Sequence, residues 1–284
     1  MKLRAALLLL APAIVFFLFS FVWPIIMVVR LSLFDTNYIA STFVGLGNFA
    51  DAFHDKYFIK SFFNAFIFVI FVVPLTILIT TSIAIFLMDF SKRMQSISRF
   101  IVYVPALASG YIIALLWKWF LMREGLLNHA LSFLNIEPIS WLFLPWAARV
   151  ALSGIEVVSG LGVLVVLLAA SLQAIPDELY DAALIDGATN RQYKRFIVLP
   201  LLVPTILLAS LLETIGVMKI WSTIYILTPE GGPDGATASP VYEIFLTAFH
   251  HGKHGYGAAK GILLMIIIAA IILIKQRIEK AAKK

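Results

Sequence analysis

The stretch that decides the fold is Asp181-Ala182-Ala183-Leu184-Ile185-Asp186-Gly187 and, after nine intervening residues, Ile197-Val198-Leu199-Pro200. It forms a polar island, with Asp177, Glu178, Arg191, Lys194 and Arg195, between two long apolar runs. A charge at the centre of a membrane helix costs about 2.5–3.5 kcal/mol, so the island must stand in water. Locally it reads as two short helices with a break. Pro176 suits a first helical turn, Asp177 and Glu178 complement the positive end of that helix, and Gly187 supplies a left-handed stop. Thr189 and Gln192 have capping-box spacing, which predicts a second helix running toward Pro200. Ala182 and Ala183 predict a small-residue surface that another protein can approach closely. A well-capped loop with no partner would carry the same caps.

The flanks identify the solvent on either side. Hydrophobic residues make up 61% of the 284 positions, charged residues 13%, and the mean hydropathy is +0.96, too apolar for a soluble domain. Runs of about 20 apolar residues cross a bilayer. Six spans follow: Ala5–Val29, Phe62–Met88, Phe100–Trp119, Leu144–Leu172, Phe196–Tyr225 and Tyr256–Ile274. The first two hold no Asp, Glu, Lys or Arg. Lys260 falls inside the sixth and is expected to snorkel outward. The apolar stretch after Lys2 and Arg4 exceeds the roughly 7–15 residues of a signal core and is followed by no small-residue cleavage site, so it is expected to be retained.

Basic residues orient the spans. With the amino terminus inside, 13 of the 22 fall on the cytoplasmic side: Lys2, Arg4, Lys92, Arg93, Arg99, Arg191, Lys194, Arg195, Lys275, Arg277, Lys280, Lys283 and Lys284. Lys56, Lys60, Arg123 and Lys253 fall outside. Both termini and the polar island are therefore expected in the cytoplasm. This asymmetry accounts for the net charge of +6, and no nucleic-acid partner is needed. The chain has no cysteine, hence no disulfide or thiolate site. Residues 1–284 read as one transmembrane domain with no internal repeat.

Here the chain resembles the permease subunits of binding-protein-dependent ABC importers. Asp181, Ala182, Ala183, Gly187, Ile197, Leu199 and Pro200 fall in register on the pattern E-A-A, three residues, Gly, nine residues, Ile-x-Leu-Pro, with Asp181 in place of Glu. Leu9-Leu10-Ala11-Pro12-Ala13, Trp23-Pro24-Ile25, Phe43-Val44-Gly45-Leu46-Gly47-Asn48-Phe49, Thr228-Pro229-Glu230-Gly231-Gly232-Pro233 and Gly255-Tyr256-Gly257-Ala258-Ala259 are similar to segments of the carbohydrate branch, nearer the maltose or glycerol-phosphate permeases. The resemblance implies an all-α integral membrane protein with six transmembrane helices and a cytoplasmic coupling helix between helices 4 and 5. Asp181, Ala182, Ala183, Asp186, Gly187, Ile197, Leu199 and Pro200 would carry ATPase coupling. It further implies a second permease subunit, two ATPase subunits and an extracytoplasmic solute-binding protein, in a bacterial or archaeal cytoplasmic (inner) membrane. ATP and Mg would bind the ATPase subunits and no cofactor this chain, which lacks G-x-x-x-x-G-K-[ST] and is expected not to be an enzyme.

Polar residues within the spans are the candidates for substrate. Glu156 lies near the middle of the fourth span and Glu213 near the middle of the fifth, where snorkelling is difficult. A structural pair or helix–helix hydrogen bonds would explain both equally well. Arg149, Lys118 and Lys219 lie nearer the outer side, and Gly160 and Gly162 allow close helix approach. Tyr225 joins Trp117, Trp119, Trp141, Trp146 and Trp221 toward the outer ends of spans, where interfacial anchoring and sugar stacking both suit aromatic rings. The pathway candidates are thus Glu156, Glu213, Lys219 and Tyr225. Arg149 and Lys219 would suit an anionic sugar or glycerol phosphate, Glu156 and Glu213 the hydroxyls of a neutral one. His250, His251 and His254 cluster, but Gly252 and Gly255 are expected to interrupt any helix there, and no metal site is predicted. An ion-coupled secondary transporter would also carry midplane carboxylates but would not need the island. An intramembrane enzyme is weaker still, since the spans hold neither histidine nor cysteine.

Overall fold

The computed structural model describes residues 2–37 and 39–282, with side chains for 9–37 and 39–277. Lys283 and Lys284 lie outside the described residues, as do the side chains of Lys2, Arg4 and Lys280. Among the described residues five helices are long and apolar enough to cross a membrane: Leu9–Ser32, Lys56–Leu87, Pro145–Gln173, Asn190–Leu227 and His254–Arg277. The bent pair Lys92–Leu107 and Gly110–Phe120, meeting at 92°, makes a sixth if counted as one broken span.

That bend corrects the continuous third span Phe100–Trp119. Pro105 lies in a tight turn over Val104–Leu107, Ala108 is extended at φ −74°, ψ 145°, and Ser109 leads into the next helix. Proline lacks the N–H that an α-helix needs, so the chain breaks where the sequence offers proline, serine and glycine close together. Prolines elsewhere are absorbed. Pro24 and Pro200 each follow a widened π turn, Leu18–Val22 and Lys194–Val198, placing the ring in the first turn of the next α segment. A small antiparallel hairpin, Phe34–Thr36 with Ser41–Phe43, adds the one departure from an all-helical reading among the described residues. Asn37 shapes its turn, its side-chain oxygen accepting from the N–H groups of Ile39 and Ala40.

Two compact units divide the chain. In the first, Met1–Ile59 with Glu243–Lys284, the first and last spans and the helix Gly47–His54 pack together. A Cβ at Gly255 would collide with the Phe34 carbonyl oxygen, so only glycine fits where the last helix meets the hairpin. Gly255 lies in that helix's first turn instead of interrupting it. The expected snorkelling of Lys260 does not occur. This residue is 2% exposed, and its ammonium donates to Asp55 Oδ2 at 2.7 Å and Thr247 Oγ1 at 2.8 Å, over the rings of Tyr256 (4.5 Å) and Phe58 (5.2 Å). A carboxylate at the head of the Lys56–Leu87 helix supplies what water would have supplied.

The second unit, Lys60–Tyr242, is built around the helix Pro145–Gln173, whose Ala148, Leu152, Ile155, Val165 and Leu168 are buried. Helices Lys92–Tyr103 and Leu199–Met218 pack on it. At Gly162 a Cβ would come within 2.9 Å of the Val102 carbonyl oxygen, which accounts for the predicted close approach. Val150, Val158 and Val163 on the same helix stay exposed, as lipid-facing positions do.

Candidate functional site

The polar island folds as two capped helices on an apolar base. Helix Glu178–Ile185 starts from Asp177, so Pro176 lies outside it and not in its first turn. At its far end Gly187 adopts φ +73°. The Ala188 N–H reaches back to the Ala183 carbonyl at 2.9 Å and the Gly187 N–H to that of Leu184 at 3.0 Å, the two bonds of a Schellman stop. Thr189 then opens the next helix through a capping box. Its hydroxyl accepts from the Gln192 N–H at 3.3 Å, and its own N–H donates to Gln192 Oε1 at 2.8 Å.

The base is a cluster of Ala183, Tyr193, Val198 and Leu202, with Ile85, Met88, Leu172, Ile175 and Ile197 packed around it. Ala183, expected on the approachable surface, is only 5% exposed and belongs to this base. Its small side chain lets the island's first helix sit tightly on the ends of the spans. Asp181, Ala182, Asp186 and Gly187 are exposed, Ile197 is half-buried, and Leu199 and Pro200 are exposed. The sequence reading missed Tyr193, whose ring meets Tyr180 edge-on at 5.0 Å. It also missed Leu184 and Ile185, which are 52% and 86% exposed on the outer side of the island. Apolar residues inside a charged stretch were the available signal for both.

Higher in the second unit, the two breaks in the spans meet. The predicted fifth span Phe196–Tyr225 is interrupted: Leu199–Met218 ends at Lys219, and a separate helix, Ser222–Leu227, follows. This second break lies beside the first, since a Cβ on Gly110 would come within 2.6 Å of Ser222 Oγ. Three aromatic rings gather there. Trp221 and Tyr225 stack at 5.4 Å, and Tyr111 stands edge-on to them at 5.4 and 6.5 Å. Tyr111 was not among the sequence candidates, and only the bend brings it here.

Glu156 reaches the same place from the fourth span, accepting from the Thr223 hydroxyl at 2.7 Å. Glu213 lies over Gly160, one helical turn from Glu156, at a point where a Cβ would stand 2.6 Å from Oε1. The two candidate carboxyl groups thus flank one face of one helix. Lys219 caps the broken helix and is exposed. Among the described residues neither carboxylate has an ion-pair partner.

Arg149, considered for anionic substrate, is engaged by the protein. Its Nε donates to the Ala236 carbonyl at 3.0 Å and its Nη2 to Asn64 Oδ1 at 3.1 Å. Asn64, fully buried, donates in turn to the carbonyls of Gly235 and Ala238 at 2.8 and 3.1 Å. Together they hold the glycine-rich loop, in which Glu230 (φ 59°) and Asp234 (φ 54°) adopt left-handed backbone. Against this loop lies a cavity of about 810 Å³ lined by Lys118, Arg123, Trp141, Thr228 and Glu230, among others. The rings of His250 and His251 are 5.5 Å apart, and no group of three or more potential metal ligands occurs among the described residues.

The comparisons with known proteins bear on this architecture. The chain is 34% identical over 242 residues to the trehalose/maltose transport system permease protein MalF of Thermococcus litoralis, covering 84% of this chain and 80% of that protein. It is 30% identical over 283 residues to the probable ABC transporter permease protein YurN of Bacillus subtilis, covering 97% and 96%. The diacetylchitobiose uptake system permease protein NgcF of Streptomyces coelicolor is 30% identical over 251 residues, covering 83% and 71%. In fold the chain is similar to a crystal structure of a bacterial ABC transporter involved in the import of the acidic polysaccharide alginate, with a TM-score of 0.83 at 23% identity over 100% of this chain and 96% of that one. Residues 44–284 match the family described as the binding-protein-dependent transport system inner membrane component, and the chain is a permease of that family.

Proposed function

We propose that the chain is the permease subunit of an ATP-driven importer of a neutral sugar or oligosaccharide, driven through the Asp181–Gly187 helix by separate ATPase subunits. The observation that carries coupling is the island itself, a doubly capped helix seated on the span ends and presenting Leu184, Ile185, Asp181 and Ala182 outward. An exposed apolar pair in a charged setting calls for a partner. Force on this helix passes through the Ala183, Tyr193, Val198 and Leu202 base into the second and fifth spans. Alternating access would follow from movement at the two adjoining breaks, since discontinuous spans are where transporters build their substrate sites.

For substrate, relatives named for trehalose/maltose, lactose and arabinooligosaccharides support a carbohydrate. Glu156, Glu213 and the Tyr111, Trp221 and Tyr225 rings offer hydroxyl acceptors and stacking faces. An anionic sugar or glycerol phosphate is the second reading. Engagement of Arg149 by carbonyl groups weakens it and leaves it resting on Lys219. The complete complex would add a second permease, two ATPase subunits and an extracytoplasmic binding protein, in the cytoplasmic membrane with both termini inside.

Gly187 tests the coupling. No atom would contact a Cβ there, so any penalty comes from φ +73° alone. Gly187→Val is expected to abolish ATPase co-purification and substrate-stimulated hydrolysis, whereas Gly187→Asn, which tolerates left-handed backbone, should keep both. A fully coupled valine variant, or uptake by the reconstituted chain from an ion gradient without ATPase subunits, would refute the mechanism.

A further inference from the structure

At the foot of the second and fifth spans lies a cavity of about 580 Å³ lined by Ile85, Asp89, Asn190, Arg191, Lys194, Arg195 and Leu199. Its charges are not balanced. Asp89 accepts from Lys194 at 2.5 Å and from Asn190 at 3.0 Å, and these bonds hold its carboxyl below the usual carboxylate range. One acid and one base are thereby matched. Arg191 and Arg195 remain, both exposed and spaced i, i+4 on one side of the chain. Arg195 lies 5.7 Å from the centre of the Phe196 ring, which is itself 66% exposed.

The cavity's level matters as much as its charge. Ile85 is in the last turn of the Lys56–Leu87 helix and Leu199 in the first turn of Leu199–Met218, so the basic wall stands where two spans leave the hydrocarbon. Above it is the apolar side chain of the spans; below it is the polar island. A soluble anion would use the arginines and leave Phe196 and Leu199 uncovered. A phospholipid uses both, placing its phosphate between the guanidinium groups and its acyl chains along the exposed apolar side chains. Basic pockets between helices on the cytoplasmic side bind anionic headgroups, and each arginine contributes on the order of 1 kcal/mol.

We infer that this cavity is a binding site for an anionic phospholipid headgroup, fixed by Arg191 and Arg195. The inference rests on reading the polar island as the water-facing end of the spans. Lipid bound here would brace the junction between the fifth span and the island's second helix, next to the base that carries coupling.

The test is retention of phosphatidylglycerol against phosphatidylcholine by the full chain in nanodiscs, whose two leaflets are alike, so that orientation does not enter. Native mass spectrometry should show phosphatidylglycerol retained. Retention should weaken about fivefold for each of Arg191→Gln and Arg195→Gln and persist largely in the Arg191→Lys/Arg195→Lys variant. Gly187→Val should leave it unchanged, which separates failure of this site from failure of coupling. Wild-type retention by the double glutamine variant would overturn the inference. So would displacement of the lipid by equimolar inorganic phosphate, which would mark a free-anion site. Loss of ATPase association with lipid retention intact would instead assign the surface to the ATPase and overturn it as well.

Discussion

Lys260 and Glu156 are both ionisable residues within apolar helices, and their surroundings differ in kind. In the first unit the Lys260 ammonium meets a carboxylate, a hydroxyl and two aromatic faces. Its partner Asp55 also accepts from the Tyr256 hydroxyl at 2.8 Å and from the N–H groups of Tyr57 and Phe58 at 2.9 and 3.1 Å. Burial pushes the Asp55 carboxyl up, but the Lys260 bond, with those of Phe58 and Tyr256, outweighs it and holds the group below its ordinary 3.8. In the second unit Glu156 has one hydroxyl partner, Thr223, and no counter-ion among the described residues. A saturated pair has no capacity left for a ligand. A carboxylate with one donor retains most of its acceptor sites, and placed at two broken helices beside three aromatic rings it is suited to a polyhydroxylated guest.

The largest effect should come from breaking the saturated pair. Lys260→Met leaves Asp55 in its half-buried setting without its cation, and loss of one partner of a buried pair costs about 3–5 kcal/mol. Thermal unfolding of the purified protein should show that loss, and Asp55→Asn added to Lys260→Met should recover a substantial part of it. Because the Asp55 pKa is depressed, its contribution is present above pH 3.8 and disappears only as pH falls below that value through the folded-state pKa. If Lys260→Met is as stable as wild type, the pair is not structural and the contrast with Glu156 fails.

Removing the under-satisfied carboxylate should do the reverse. Glu156→Ala releases only the Thr223 hydroxyl, so stability should change by about 1 kcal/mol or less. Uptake in the reconstituted complex should fall roughly tenfold or more, equivalent to about 1.4 kcal/mol of lost binding. Glu213→Ala should behave alike to a smaller extent, since its carboxyl lies over Gly160 one turn away from the aromatic rings. A Glu156→Ala complex that transports normally but unfolds early would place Glu156 with Lys260 as a structural charge.

The sequence made the spans and the island legible for one reason: hydrophobicity and capping are local. Gly187, Thr189 and Gln192 adopt the backbone their spacing predicts because each acts within four residues of itself. What it did not reveal was settled by partners far along the chain. Asp55, 205 residues before Lys260, is invisible to a reading of the last span, and so the lysine was expected in water. Arg149 reads in the sequence as suited to an anionic guest because nothing near it in the chain shows Asn64 and Ala236 converging on its guanidinium. The breaks at Ser109 and at Lys219–Trp221 are masked by apolar neighbours that keep the local sequence hydrophobic even where the backbone leaves the helix. Tyr111 becomes a candidate only once those breaks lie side by side.

The smallest effect should come from Lys219, and its sign separates the two substrate readings. Lys219 caps the broken fifth helix, where a cation complements the exposed carbonyl end, and its side chain is exposed. With Arg149 held by carbonyl groups, Lys219 is the cation nearest the break left to meet an anionic guest. If the guest is neutral, Lys219→Ala should cost only the terminal helix interaction, about 0.3–1 kcal/mol, and leave uptake within about threefold. An anionic guest would lose its charge partner, and Lys219→Ala would then depress uptake at least as far as Glu156→Ala, with a deficit that grows as salt is lowered because the lost attraction is long-ranged. Measuring both variants across salt concentration, with uncharged and carboxylated sugars, therefore places the carboxylates or the lysine at the point of recognition.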